Sequence, residues 1–152
     1  MVFVTGATGI LGRIIVLELL KKGEKVRAAK RKTSNLVEVR HSYQYYTENP
    51  DGFFYEIEWM DVDFDDIHSI ELALKDVTEV YHCAAKVSFH PKDEKEMEYT
   101  NIKATENLLY ACENSTVEKF LHVSSIAVLD LLNEKGELDE SSDYNAKEEH
   151  SA

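Results

Sequence analysis

Three glycines spaced three apart, in Thr5-Gly6-Ala7-Thr8-Gly9-Ile10-Leu11-Gly12, separate the β-branched run Val2 to Thr5 from a stretch of helical apolar period. The first glycine permits a tight turn. The second lets backbone approach a pyrophosphate without a Cβ in the way, and the third allows a helix to pack closely on a strand. A phosphate at such a loop meets the positive end of a helix dipole. The chemistry this implies is dinucleotide binding, with Gly6, Thr8, Gly9, Ile10, Leu11 and Gly12 forming the phosphate cradle.

An NAD site places an Asp or Glu about 20 residues beyond the first glycine to hold the adenosine ribose hydroxyls. No acid occurs from Lys25 to Val37, and the stretch ends in Lys30-Arg31-Lys32-Thr33-Ser34. There a guanidinium and a hydroxyl would meet a 2′-phosphate by charge-assisted hydrogen bonds, which favours NADP over NAD and makes Arg31 the candidate reader. NAD stays possible, and for Lys30 and Lys32 a solvated basic loop stays open as the alternative explanation.

The elements that must hold these residues alternate. Val2 to Thr5 is a strand, followed by a helix over Ile10 to Lys22 closed by Gly23. A second strand runs from Lys25 to Ala29, and a helix over Asn35 to Tyr46. Glu48-Asn49-Pro50-Asp51-Gly52 signals a turn before a third strand, Phe53 to Met60. Asp65 or Asp66 caps a helix through Lys75, and Val77 to Cys83 is the fourth strand. A long helix, Lys92 to Asn114, broken in its first turns near Pro91, leads to the fifth strand, Lys119 to Ser124. Strands alternating with helices predict a doubly wound α/β domain, a Rossmann fold whose parallel sheet has strand order 3-2-1-4-5 and is incomplete on its C-terminal side. The expected organisation is a dinucleotide-binding domain over residues 1–129 and an acidic loop over 130–152, where eight acids stand against two lysines.

The 152 residues, 43% hydrophobic and 30% charged, with 6 Gly and 2 Pro, have the composition of an ordinary globular domain. No apolar run approaches the roughly 18–20 residues of a membrane span, and no secretory leader is seen. Cys83 and Cys112 form no CxxC and no zinc spacing, so they read as thiols of a reducing, cytoplasmic compartment. A net charge of −12 argues against nucleic acid and anionic membrane as partners. Residues 1–40 nevertheless hold nine basic residues against three acidic ones, an island suited to a local anionic ligand. Asp61, Asp63 and Asp65 mimic the start of a calcium loop, but Asp66 replaces its glycine and Leu72 stands at its twelfth position, so no calcium is expected. His82 and Cys83 point to opposite faces of a strand, which argues against a shared metal. Asn101 sits in mid-helix, a poor place for asparagine unless its side chain has a task.

Taken together these segments resemble the extended short-chain dehydrogenase/reductase superfamily of NAD(P)-dependent epimerases, dehydratases and reductases. The glycine motif matches its TGxxGxxG form, and Tyr81-His82-Cys83-Ala84-Ala85 resembles the strand end where the family's chain passes beside the cofactor. Asp61-Val62 looks like the family's adenine contact, Asn101 with Ala104-Thr105 like its Asn-containing helix, and Leu121-His122-Val123-Ser124-Ser125 like the strand ending in the catalytic serine. The resemblance thus implies cofactor contacts at Asp61, Val62, Ala84, Ala85 and Lys86 and a catalytic Ser125, with no metal. Within the superfamily the chain looks most like the dihydroflavonol-reductase and hydroxysteroid-dehydrogenase branch.

In that family a YxxxK helix completes the active site: the tyrosine exchanges a proton with the substrate oxygen and the lysine lowers its pKa. Tyr144-Asn145-Ala146-Lys147 is one residue short of that spacing and stands among acids that would raise the tyrosine pKa. The chain is therefore expected to be the N-terminal part of a longer enzyme and inactive as it stands. The expected function is the dinucleotide-binding portion of an NADP-preferring oxidoreductase or epimerase acting on a small carbonyl or secondary alcohol. The alternatives are a non-catalytic NADP-binding redox sensor and a nucleotide-sugar epimerase or dehydratase. The missing cover beyond the fifth strand further predicts self-association, a dimer burying that strand or the Asn101-bearing helix.

Overall fold

All four residues of β1 (Val2–Thr5) are buried, and the strand is the centre of a five-stranded sheet. In this computed structural model β1 is flanked by β2 (Val26–Lys30) and β4 (Glu79–His82), with β3 (Glu58–Asp61) outside β2 and β5 (Lys119–His122) outside β4. Every pairing is parallel, and the order is 3-2-1-4-5, as the alternation of elements predicts. The structure describes residues 1–125, 129 and 132–142. Two compact units divide the chain, Met1–His122 and Val123–Ala152.

Side chains of β1 alternate between two cores, as a strand covered on both faces requires. Val2 and Val4 join Val16, Leu17, Leu20, Val39 and Tyr43 under α1 (Ile10–Lys21) and α2 (Leu36–Tyr43). Phe3 joins Ile70, Leu74, Val80 and Leu108 under α4 (Ile67–Ala73) and α6 (Ala104–Glu113). Helix α1 stops where Gly23 adopts φ +80°, so that the Gly23 and Glu24 N–H groups donate back to the Leu20 and Leu19 carbonyls at 2.8 and 3.1 Å.

One expectation is corrected. Phe53 is not the start of a strand: Pro50–Glu56 is a helix, α3, and only Glu58–Asp61 is extended. Asn49 caps the helix by accepting from the Gly52 N–H at 3.1 Å, with Pro50 in the first turn. Asn-Pro-Asp marks a helix start as well as it marks a turn. Packing of Phe53 and Phe54 onto the α1 core selects the helix.

The predicted long helix is composite. A 3₁₀ turn at Pro91–Asp93 leads into α5 (Glu94–Glu98), a π-helical segment at Tyr99–Lys103, and then α6. In the second unit, Asn133 organises a turn around Gly136, its side chain accepting from the Lys135 and Glu137 N–H groups and donating to Asp139. Tyr144 and Lys147, and the run Ile126-Ala127-Val128, lie outside the described residues. Among the described residues no helix is long and apolar enough to cross a membrane.

Candidate functional site

Gly6 follows β1 directly at φ +63°, a conformation that glycine adopts without strain. A Cβ there would stand 2.6 Å from the Cys83 carbonyl group, so the loop is pressed against the end of β4. At Gly12 a Cβ would come within 2.3 Å of the Gly6 carbonyl oxygen: the third glycine fits the helix against its own loop. Gly9 is the residue before α1, and its N–H donates to the Gly6 carbonyl at 2.9 Å.

A cleft of about 1150 Å³ opens along the carboxyl ends of the strands. Gly6, Thr8 and Gly9 line one part, Lys30 to Ser34 and Asp61 to Asp66 a second, and His82 to Ala85 with Tyr99 and Thr100 a third. The structure thus brings Gly6, Thr8, Gly9, Arg31, Asp61, Val62, Ala84 and Ala85 to one cleft. Ile10 and Leu11, 84% and 50% exposed, lie outside its lining, in the first turn of α1 where backbone N–H groups have no intrahelical acceptor. Gly12 is buried and lies outside it too.

Lys86 is also outside the cleft lining. Its ammonium is held by Glu96 and lies 3.6 Å from Asp93, which together hold its pKa above the ordinary lysine value. The task of Asn101 becomes visible here: its side chain accepts from the Lys86 N–H at 2.8 Å and donates to the Lys86 carbonyl at 2.9 Å. That clasp fixes the chain that leaves β4 along the cleft. Ser125 is exposed and belongs to the second unit.

The charges at the end of β2 are sorted by sheet register. Lys30 stands opposite Asp61 in the β2–β3 ladder, and the two pair at 2.5 Å. Arg31 is exposed, and among the described residues no carboxylate pairs with its guanidinium or with the Lys32 ammonium. Arg31 opens a turn in which its N–H donates to Ser34 Oγ at 3.0 Å. The acids that follow β3 shape backbone: Asp63 accepts from the Asp65 N–H, and Asp66 caps α4 through the His68 N–H.

His82 is 1% exposed at the end of β4, with both ring nitrogens engaged. The Thr105 hydroxyl donates to the Asn101 carbonyl at 3.0 Å, so its oxygen accepts from His82 Nε2–H at 2.8 Å. Nδ1 then accepts from the Thr5 hydroxyl at 2.6 Å, and Thr5 Oγ1 accepts from the Ala84 N–H at 3.2 Å. The chain is directional and fixes the neutral tautomer. Burial, reinforced by His122 stacked 5.4 Å away, pushes the His82 pKa down to about 4. Burial likewise pushes the thiol of Cys83, on the cleft wall, above its ordinary value.

Sequence reasoning did not find Thr5 or Arg13. Arg13, in the first turns of α1, donates from Nε to the Gly9 carbonyl at 3.1 Å and from Nη2 to the Thr8 carbonyl at 2.8 Å, and pairs with Glu38 at 3.0 Å. Nothing local signals a partner 25 residues away.

Known proteins place this geometry. The chain is 35% identical to sterol demethylase protein B of Methylococcus capsulatus over 83% of its own length and 34% of that protein's. It is 31% identical to the bifunctional dihydroflavonol 4-reductase/flavanone 4-reductase of Malus domestica, over 86% of this chain and 36% of that one. It spans about a third of the length of these curated relatives. Among solved structures, the UDP-N-acetylglucosamine 4-epimerase of Methanobrevibacter ruminantium, in complex with UDP-N-acetylmuramic acid, superposes with a TM-score of 0.71 at 29% identity, over 95% of this chain and 43% of that one. A short-chain dehydrogenase/reductase superfamily protein of Agrobacterium tumefaciens with bound NAD gives 0.65 at 25%, over 91% and 39%. The glycine loop, the 3-2-1-4-5 parallel sheet and a match of residues 2–152 to the family model agree: the chain belongs to the NAD-dependent epimerase/dehydratase family.

Proposed function

We propose that the cleft binds a nicotinamide dinucleotide, NADP in preference to NAD, and that the chain is the cofactor-holding part of an oxidoreductase or epimerase acting on a small carbonyl or secondary alcohol. The residues fit such a group. Gly9 offers no side chain between the loop and a phosphate, and the first-turn N–H groups of α1 carry the positive end of the helix. Ala84 and Ala85 present a small-residue wall held in place by Thr5 and, through Lys86, by Asn101. When bound, the nicotinamide supplies the carbon that accepts or donates hydride. The protein's part is to hold and orient it, with Ser125 assigned by resemblance to polarise the substrate oxygen.

A single observation carries the preference for NADP. Of the three cations at the end of β2, Lys30 is neutralised by Asp61, while Arg31 and Lys32 stand in the cleft without a carboxylate partner among the described residues, and of these two only Arg31 carries a planar fork. A planar guanidinium with no carboxylate partner among the described residues, on a turn whose Ser34 also lines the cleft, suits a 2′-phosphate, whereas a ribose diol calls for an acid at this strand end. Calorimetric titration of the chain with each dinucleotide tests this. NADP should bind at least tenfold more tightly than NAD, and Arg31→Ala should abolish the difference, since a hydrogen bond to a charged group contributes about 1.5–3 kcal/mol. Equal affinities in the unmodified chain, or an unchanged ratio in the variant, would refute the assignment.

The likeness to the UDP-N-acetylglucosamine 4-epimerase of Methanobrevibacter ruminantium supports a second reading, epimerisation of a nucleotide sugar with the dinucleotide held in this same cleft. Retention of a UDP-sugar by the dinucleotide-loaded protein separates the two readings.

A further inference from the structure

We infer that Arg13 is a positioning residue: its guanidinium sets the peptide planes of the glycine loop so that the loop's free N–H groups face an anion. The inference rests on the dinucleotide reading of the cleft, but the geometry stands by itself. Arg13 is nearly buried, with 13% of its side chain exposed, and lies outside the cleft lining, so it is not itself the phosphate ligand.

It holds two successive carbonyls, Thr8 at 2.8 Å and Gly9 at 3.1 Å. The Thr8–Gly9 peptide is thereby pinned at both ends, because its N–H donates to the Gly6 carbonyl at 2.9 Å. The next peptide is pinned at its carbonyl alone, by Arg13 Nε and by the Arg13 backbone N–H at 3.1 Å. In a planar trans peptide the carbonyl and the N–H point in opposite directions. Holding the Gly9 carbonyl on the Arg13 side therefore turns the Ile10 N–H to the other side of the loop. Ile10 opens α1 and has no intrahelical acceptor for that group.

The same guanidinium reaches across to Glu38 at 3.0 Å, in the first turn of α2. Asn35, which caps α2, directly follows the Arg31 to Ser34 turn. One side chain thus ties the pyrophosphate loop to the helix behind the basic loop. The Tyr43 hydroxyl, on a fully buried side chain, donates to the Arg13 carbonyl at 3.0 Å and fixes the arginine's own backbone.

The test uses Arg13→Met, Arg13→Lys and Glu38→Gln in the 152-residue chain, with NADP and NAD as probes and circular dichroism to establish folding. Arg13→Met should weaken both dinucleotides about tenfold and leave their ratio unchanged, whereas Arg31→Ala changes the ratio. Amide hydrogen exchange at Gly9 should accelerate in Arg13→Met without any ligand, because the Thr8–Gly9 peptide loses one of its two anchors. Arg13→Lys keeps the charge but not the fork, and should weaken both probes several-fold. Glu38→Gln, which leaves both carbonyl bonds, should weaken them less. If Arg13→Met does not fold, the Arg13→Lys titration decides. Unchanged affinities and exchange in a folded Arg13 variant would overturn the inference, as would a shift in the NADP/NAD ratio, which would make Arg13 a direct phosphate reader. If the unmodified chain binds neither probe while Gly9 exchange still accelerates, the dinucleotide reading falls and the positioning role stands.

Discussion

Acidification should destabilise this protein through one buried ring. His82 is neutral, accepts at Nδ1 from Thr5 and donates from Nε2 to Thr105, and 1% of it is exposed. Protonating Nδ1 would set its N–H against the Thr5 hydroxyl hydrogen, and turning that hydroxyl away leaves a charge in the sheet between α6 and β5. The pKa accordingly falls from 6.5 to about 4 in the folded protein, chiefly through burial. Because the folded value lies below the unfolded one, the unfolded chain takes up a proton between these limits that the folded chain refuses. The contribution is complete above pH 6.5 and is lost as the pH falls to about 4. At about 1.36 kcal/mol per pH unit the gap amounts to about 3 kcal/mol, a large share of the roughly 5–15 kcal/mol that holds a domain folded. Urea unfolding of the wild type and of His82→Gln at intervals from pH 7.5 to 4 isolates it. Carboxylates such as Asp51 and Asp93, held below their usual range by Arg40 and by Ser88 with Lys86, act alike in both proteins and cancel in the difference. The wild type should lose about 3 kcal/mol more than the variant across the range. Parallel curves, or a doubly protonated His82 seen by nitrogen NMR at pH 5.5, would refute the reasoning.

Gly12→Ala places a Cβ 2.3 Å from the Gly6 carbonyl oxygen, a backbone contact that no side-chain adjustment relieves; a loss of about 2–4 kcal/mol is expected by thermal or urea unfolding, and an unchanged midpoint would contradict the packing. We also propose that the chain self-associates: among the described residues β5 is an edge strand, with Leu121 46% exposed, and Ile102 in the π-helical segment and Leu109 and Tyr110 on α6 leave apolar surface open. Sedimentation at micromolar concentration should show a dimer, and a single monomeric species would refute it.

Some of this protein is written locally. The glycine spacing between a strand and a helix, and the switching of apolar period between two and 3.6, lie within a dozen residues and suffice for the phosphate loop, the parallel sheet and its order. Asn49-Pro50-Asp51 does not suffice, because capping a helix and making a turn use the same hydrogen bond; only the core beneath Phe53 and Phe54 chooses between them. The basic run shows that cations stand at the end of β2, but not that Lys30 is paired while Arg31 and Lys32 have no carboxylate partner among the described residues. That depends on the ladder setting Lys30 against Asp61, 31 residues away. Arg13 reads as one more charge on a helix until Glu38 and two loop carbonyls close around it. The chain of hydrogen bonds through His82 joins Thr5 to Thr105 across three elements. Periodicity and turn chemistry report what a residue does to its own backbone. Pairing, protonation and burial depend on groups that only the closed sheet brings together, and these decided how the cleft is charged and held.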